Sequence, residues 1–203
     1  MDLGLRDKIV LVTGGAKGIG AATVEAFLEE DCRVVLVDRD SKTGTTLSKS
    51  LGPRVQYIEA DLTVSIACKK AINQTVSLFG GLDVLVNNAG FNDGLGLETP
   101  PEDFMLSVQN NLLHVYAMTH YALPLLRKVQ GCLVNLGSKV SETGQGHTSA
   151  YAAAKGAISA LTREWAVALA PDKIRVNCVI PAECLSDQYE QFFQTQTNPE
   201  AAK

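Results

Sequence analysis

Lys8-Ile9-Val10-Leu11-Val12-Thr13-Gly14-Gly15-Ala16-Lys17-Gly18-Ile19-Gly20 decides the reading of this chain. A short apolar, β-branched run enters a glycine loop, and a segment of helical period follows directly. Glycines there let the chain turn tightly and let its backbone approach a bound group. They also let the next helix pack closely on the strand, with the free N–H groups of its first turn aimed at an anion such as a pyrophosphate. The spacing is G-x-x-x-G-x-G rather than G-x-G-x-x-G, so a simple pattern match fails although strand, loop and helix stand in order. A tight turn with no ligand is the competing reading.

Outward from that loop the same alternation repeats. Strands are predicted near 8–13, 33–38, 55–59, 83–87, 132–137 and 174–179, each an apolar run of the kind expected when both faces of a sheet are covered. Helices are predicted near 18–30, 41–51, 64–80, 101–128, 150–170 and 183–195. Pro100-Pro101-Glu102-Asp103 marks one helix start, Gly80-Gly81 marks a helix end, and Pro124 is expected to kink or end the long fourth helix. Right-handed crossovers then give an α/β fold with a doubly wound parallel sheet of Rossmann type, six strands visible, in a single domain over 1–203 that includes the substrate site. After the sixth strand comes a polar tail, so either the sheet is complete at six strands or a C-terminal piece is missing.

Composition narrows the partners. With 203 residues, 46% hydrophobic and 20% charged, the chain can bury a substantial core, and its formal charge of −4 offers no strong positive field to nucleic acid or anionic lipid. The five cysteines are scattered without a C-x-x-C pair, and the three histidines form no H-x-x-x-H pair. Reduced thiols, a cytoplasmic location, no membrane partner and no metal site are the expectations.

Asp38 ends the second strand, 18 residues after Gly20, where a carboxylate accepts hydrogen bonds from both ribose hydroxyls of an adenosine and repels a 2′-phosphate. NAD is therefore favoured over NADP, with Arg39 beside it blunting the preference. A solvated turn residue is the alternative. Asp61 follows the third strand, at the edge where ligands of such sheets gather, and is read either as an adenine contact or as the cap of a helix starting near Thr63. Asn87-Asn88-Ala89-Gly90 places amides and a glycine on the same edge.

Tyr151 and Lys155 are four apart among good helix formers and so share a helix face. That pair alone is common in ordinary helices. Ser138, at the end of the fifth strand, raises its meaning, because all three can converge beside the dinucleotide loop. Hydride transfer between an alcohol carbon and nicotinamide needs a proton transfer at the oxygen, which a phenol performs only with its pKa of about 10 lowered. An ammonium about 4 Å away at an effective dielectric near 20 is worth about 4 kcal/mol, or about three pKa units. Ser138 then holds the substrate oxygen, and no histidine–acid pair is evident to make it a nucleophile. Asn111, a poor helix former inside the fourth helix, is read as holding a water that links Lys155 to solvent, or as a polar surface residue.

These residues resemble the short-chain dehydrogenase/reductase family over essentially the whole chain: Thr13-Gly14-x-x-x-Gly18-x-Gly20, Asp61, Asn87-Asn88-Ala89-Gly90, Asn111, Ser138, Tyr151-x-x-x-Lys155 and the segment from Asn177 to Pro181. The resemblance implies Tyr151 as general acid/base, Lys155 on the nicotinamide ribose, Ser138 orienting substrate and Asn111 in a proton relay. It implies cofactor contacts at Gly14, Lys17, Gly18, Ile19, Gly20, Asp38, Arg39, Asp61, Leu62, Asn88, Ala89, Gly90, Tyr151, Lys155, Pro181, Glu183 and Ser186. It also implies dimers or tetramers built partly on the long helices, and a further helix and last strand that are expected to be missing here. Ala182 stands where the family commonly has glycine, and Ser186 where it commonly has threonine.

Several stretches, among them Asn88 to Gly94 and Thr143 to Ser149, look like those of bacterial L-fucose dehydrogenases and related sugar dehydrogenases. The polar residues Asn92, Asp93, Lys139, Gln145, His147 and Glu183 suit a substrate of many hydroxyls, alongside Ser138 and Tyr151. The expected reaction is NAD-dependent oxidation of an L-fucose-like aldose at its anomeric carbon to the lactone. The alternatives are a reductase of 3-oxoacyl or other small carbonyl substrates and, from another class, a dinucleotide-binding regulatory protein without turnover.

Overall fold

The computed structural model describes residues 1–182 and residue 184. Six strands, β1 (Ile9–Thr13), β2 (Arg33–Asp38), β3 (Val55–Glu59), β4 (Val84–Asn87), β5 (Cys132–Leu136) and β6 (Arg175–Val179), form one sheet in the order β3-β2-β1-β4-β5-β6. Every pairing is parallel. The chain steps from β1 outward to β3, then returns to lay β4 against the other side of β1 and continues outward to β6. β1 and β4 therefore flank the point where the winding reverses, and a crevice opens there at the carboxyl ends of the strands.

Alternation of side chains along each strand feeds two cores. On one face Leu11, Val35, Val37, Leu85 and Leu133 pack with Ile72, Met118 and Leu126 under α3 (Ser65–Phe79), α4 (Pro101–Val129) and α6 (Ser149–Ala168). On the other, Val10, Val12, Val34, Leu36, Val84 and Val86 pack with Val24 of α1 (Gly18–Glu29) and against Leu47 and Leu51 of α2 (Ser41–Leu51). β1 is buried at every position, which explains a run with no polar alternation before Thr13. β6 differs: Val176 is buried, whereas Arg175, Asn177 and Val179 are exposed, so the expectation of two covered faces does not hold at this edge of the described chain.

α4 runs through Pro124 to Val129, close to the expected range of 101–128, so of the two outcomes expected at Pro124, a kink or an end, the helix does not end there. Proline removes one N–H whose partner would be the carbonyl of exposed His120, while Ala122 and Leu126 on the buried face hold the last turns to the core. A four-residue helix, α5 (Val140–Thr143), lies in what the sequence leaves as loop, and a short 3-10 turn (Ala170–Asp172) follows α6. The helix expected at 183–195 lies outside the described residues.

Candidate active site

Thr13 fastens the first loop to the strand beside it. Its Oγ accepts from the backbone N–H groups of Asn88 at 2.9 Å and Ala89 at 3.0 Å, while the Asn88 amide donates to the Thr13 and Gly14 carbonyls at 2.8 and 3.0 Å. Loop and turn are so close that a Cβ on Gly14 would stand 2.9 Å from the Ala89 Cα, and one on Gly20 would run into the Gly14 carbonyl. Gly14 also has φ +62°, a conformation costly for other residues. The glycines therefore meet the backbone, not empty space, and the first turn of α1, whose cap residue Lys17 makes no side-chain capping bond, faces the crevice.

That crevice is a cleft of about 510 Å³. Of the expected cofactor residues it gathers Gly14, Lys17, Gly18, Ile19, Gly20, Asp38, Arg39, Asp61, Leu62, Asn88, Ala89, Gly90, Tyr151, Lys155 and Pro181. Asp38 accepts from the Ala16 N–H at 3.1 Å and the Asp40 N–H at 3.0 Å, which aims its carboxylate at the first loop from the end of β2. Lys17 ion-pairs with Asp40 at 2.5 Å, and that pairing, with the Thr43 hydrogen bonds, holds the Asp40 carboxyl far below the usual range. Asp61 does not cap a helix at Thr63: α3 begins at Ser65, and the carboxylate instead closes the preceding turn on the Thr63 N–H and hydroxyl at 3.0 and 2.8 Å. Those two bonds lower its pKa. Glu183 and Ser186 lie outside the described residues.

The proton-handling groups stand at the other end of the cleft. Tyr151 and Lys155 share one face of α6, with the Lys155 Nζ 5.5 Å from the phenol ring centre. Ser138 lies near enough to the Tyr151 hydroxyl to favour its ionised form. Lys155 is buried and donates to the Leu136 carbonyl at 2.7 Å. Burial pulls its pKa down to about 8, with Cys178 opposing. In the protein alone the Tyr151 phenol is raised, not lowered as the sequence suggests: burial outweighs the lowering by Ser138. The reason is geometric, since one Lys155 proton goes to Leu136 and the ammonium stands against the ring.

Asn111 is fully buried. Its Oδ1 accepts from the Phe91 N–H at 2.9 Å and its Nδ2 donates to the Ser107 carbonyl at 3.1 Å. The side chain thus pins the Gly90–Phe91 turn, and a Cβ on Gly90 would lie 3.2 Å from Asn111 Oδ1 and 3.5 Å from Lys155 Nζ. This work was not legible in the sequence, nor was the presence of His114, one turn on, in the cleft wall. Both stand on a buried polar stripe, Ser107, Asn111 and His114, whose helical spacing is the signal that finds them.

Of the expected substrate residues Tyr151 lines the cleft, whereas Asn92, Asp93, Gln145 and His147 lie on two loops and Glu183 falls outside the described residues. Asn92 closes a turn on the Gly94 N–H at 3.1 Å, and Asp93 has a buried Oδ1 without a protein partner. Lys139 stands just before α5, and its N–H reaches the Pro181 carbonyl at 3.1 Å. Gln145 and His147 are exposed, and His147 has φ +54°. The two loops meet where the Ala150 N–H reaches the Leu95 carbonyl at 3.4 Å and Gly96 lies against the His147 backbone.

Residues 8–197 match the family model described as short chain dehydrogenase. The chain belongs to the short-chain dehydrogenase family. Members bind NAD(P), and the loop described above fits such a group: the Cβ atoms that Gly14 and Gly20 lack would collide with the backbone of the cradle. Over 196 residues the chain is 37% identical to L-fucose dehydrogenase of Mus musculus, covering 96% of this chain and 71% of that protein. It is 36% identical over 200 residues to a probable galactose dehydrogenase of Rhizobium meliloti, covering 95% and 77%. Among solved structures, Cj0485 dehydrogenase superposes with a TM-score of 0.93 at 40% identity, covering all of this chain and 78% of the other. A 3-ketoacyl-(acyl-carrier-protein) reductase from Brucella melitensis complexed with NADH gives 0.88 at 28% identity, covering 98% and 90%. This short-chain dehydrogenase is thus an NAD(P)-dependent oxidoreductase.

Proposed function

We propose that the chain oxidises an L-fucose-like aldose at its anomeric carbon, giving the lactone, with NAD as acceptor. The observation that carries this reading is Tyr151 and buried Lys155 on one face of α6, lining the glycine-lined cleft, with Ser138 close enough to the phenol to act on its pKa. The L-fucose and galactose dehydrogenases among its relatives support the substrate class.

The cradle from Gly14 to Gly20 holds the pyrophosphate, Asp38 takes the adenosine ribose, and Lys155 takes the nicotinamide ribose. Bound there, the nicotinamide supplies the hydride acceptor. Ser138 holds the sugar hydroxyl by accepting or donating a hydrogen bond, and Tyr151 Oη removes its proton as the C–H bond is lost. Because burial alone holds the phenol up, Tyr151 depends on the Lys155 cation and on positive charge arriving beside it. The unpartnered oxygen of Asp93 suits a ring hydroxyl as donor.

The Asp38 carboxylate favours NAD over NADP. Free cysteines at positions 32, 68, 132, 178 and 184 support a reducing, cytoplasmic setting; among the described residues no helix is long and apolar enough to cross a membrane. Exposed Met105, Leu106, Leu113 and Tyr116 on α4, with Leu161 of α6 beside them, form an apolar face suited to a second copy of the chain.

The test follows the absorbance of reduced nicotinamide: its appearance after mixing protein, NAD and L-fucose, D-arabinose or L-galactose, and, in parallel, its loss after mixing protein, NADH or NADPH and a 3-oxoacyl substrate. Reduction of NAD by the sugars supports the reading. Activity only on 3-oxoacyl substrates, or dinucleotide binding without turnover, refutes it.

A further inference from the structure

Charged side chains crowd the adenosine end of the cleft, and the mechanism above uses only Asp38 among them. That carboxylate is held from two sides, by the N–H of Ala16, the residue before Lys17, and by the N–H of Asp40. Lys17, Arg39 and Asp61 line the cleft with it, whereas Asp40 does not. The Lys17 ammonium nevertheless pairs with Asp40 Oδ2 at 2.5 Å. Asp40 is itself anchored: its Oδ1 caps α2 by accepting from the Thr43 N–H at 3.0 Å, and its Oδ2 accepts from the Thr43 hydroxyl at 2.9 Å. A cation on the cleft wall is thus drawn to a carboxylate fixed at a helix end. Arg39 is exposed, and after the two Thr63 hydrogen bonds its charge also helps to hold the Asp61 carboxyl down. Both cations of this corner therefore face carboxylates already, and the acids outnumber them.

We propose that Asp40 is a positioning residue for cofactor choice, withholding the Lys17 ammonium from an adenosine 2′-phosphate so that Lys17 does not assist the binding of NADP. This rests on the reading of Asp38 as the ligand of the adenosine ribose. A 2′-phosphate carries about −1.5 to −2 charges near neutral pH and is bound through ammonium or guanidinium groups. To meet one, Lys17 has to leave Asp40. The free ribose hydroxyls of NAD make no such demand, because the Asp38 carboxylate accepts from them directly. The Lys17 side chain is 61% exposed and that of Asp40 31%, so the pair is partly screened by water and its grip on the lysine is worth about fivefold in affinity at most.

Calorimetric titration with NAD⁺ and with NADP⁺, in the absence of sugar, tests this on wild type, Asp40→Asn, Lys17→Met and the double variant. Asparagine keeps an oxygen for the Thr43 N–H and caps a helix as well as aspartate, and the N–H that reaches Asp38 belongs to the backbone, so the corner stays folded. Asp40→Asn should improve binding of NADP⁺ relative to NAD⁺ by about threefold to fivefold at low salt, and the gain should shrink in about 0.5 M KCl. With Lys17→Met already in place, Asp40→Asn should change that ratio by less than about twofold. An unchanged ratio in Asp40→Asn overturns the proposal. So does an equal gain with and without Lys17, which would mean that the Asp40 charge acts on the phosphate by itself. A wild type that binds NADP⁺ more tightly than NAD⁺ would refute the reading of Asp38, while the shift on Asp40→Asn would still decide the role of Asp40, so the two failures are distinguishable.

Discussion

Replacing Lys155 by methionine removes a cation that the fold holds at a loss. Burial lowers its pKa from 10.5 to about 8, and about 2.5 units at about 1.36 kcal/mol each amount to roughly 3 kcal/mol of differential stability. Below pH 8 both folded and unfolded chains carry the ammonium, so the native state bears the whole penalty. Between pH 8 and 10.5 the unfolded chain binds more protons than the native one, and wild-type stability rises relative to the variant. The methionine variant lacks that gain but leaves the Leu136 carbonyl without its 2.7 Å donor, at a cost of about 1–3 kcal/mol. At pH 7 the variant should therefore match or slightly exceed the wild type in stability while losing activity. Urea unfolding of both proteins at pH 7, 8, 9 and 10 reads the difference directly. A stability difference that stays constant across that range would refute the claim that a buried, strained cation sits at this site.

Tyr151→Phe keeps the ring and deletes the hydroxyl that meets Ser138; turnover should fall by about 10²–10⁴ with NAD affinity unchanged by calorimetry, and retained turnover would remove the phenol from the reaction. Asp38→Ala should narrow the ratio of NAD to NADP efficiency at least tenfold, because the carboxylate oriented by the Ala16 and Asp40 amides is gone; steady-state kinetics with both cofactors checks it. Gly20→Ala places a methyl group against the Gly14 carbonyl and 2.6 Å from the Asn88 amide nitrogen, so fluorescence titration should show NADH binding lost while circular dichroism shows the helices retained. Tyr116→Arg on the exposed apolar face of α4 should shift light-scattering mass towards the monomer; an unchanged mass would leave that face without a role in assembly.

The strands were legible to within about a residue because β-branched runs covered on both faces carry no other pattern, and β1 is the clearest case. The cleft's lining was equally legible, since a glycine loop between strand and helix has few other uses, and every residue expected at the cofactor within the described chain lines that one cleft. At Pro124 backbone chemistry argues for a kink or an end, and the helix does not end because Leu126 and its neighbours pack it onward, as the expected range of 101–128 allowed. α5 is too short to show a period. The protonation of Tyr151 was misjudged because sequence spacing reports a shared helix face, not where an ammonium points or how deeply a phenol is buried. The work of Thr13 stayed hidden for a related reason: its hydroxyl becomes meaningful only through a neighbour 75 positions away, Asn88.

The Thr13–Asn88 clasp carries a lesson for anyone reshaping this enzyme. Dinucleotide loop and fourth-strand turn are one mechanical part assembled from distant stretches of gene, so a segment transplanted from a relative at 13–20 has to travel together with 87–90. Libraries that randomise either stretch singly will sample mostly broken clasps, whereas paired exchange keeps the buckle intact and leaves specificity free to vary elsewhere.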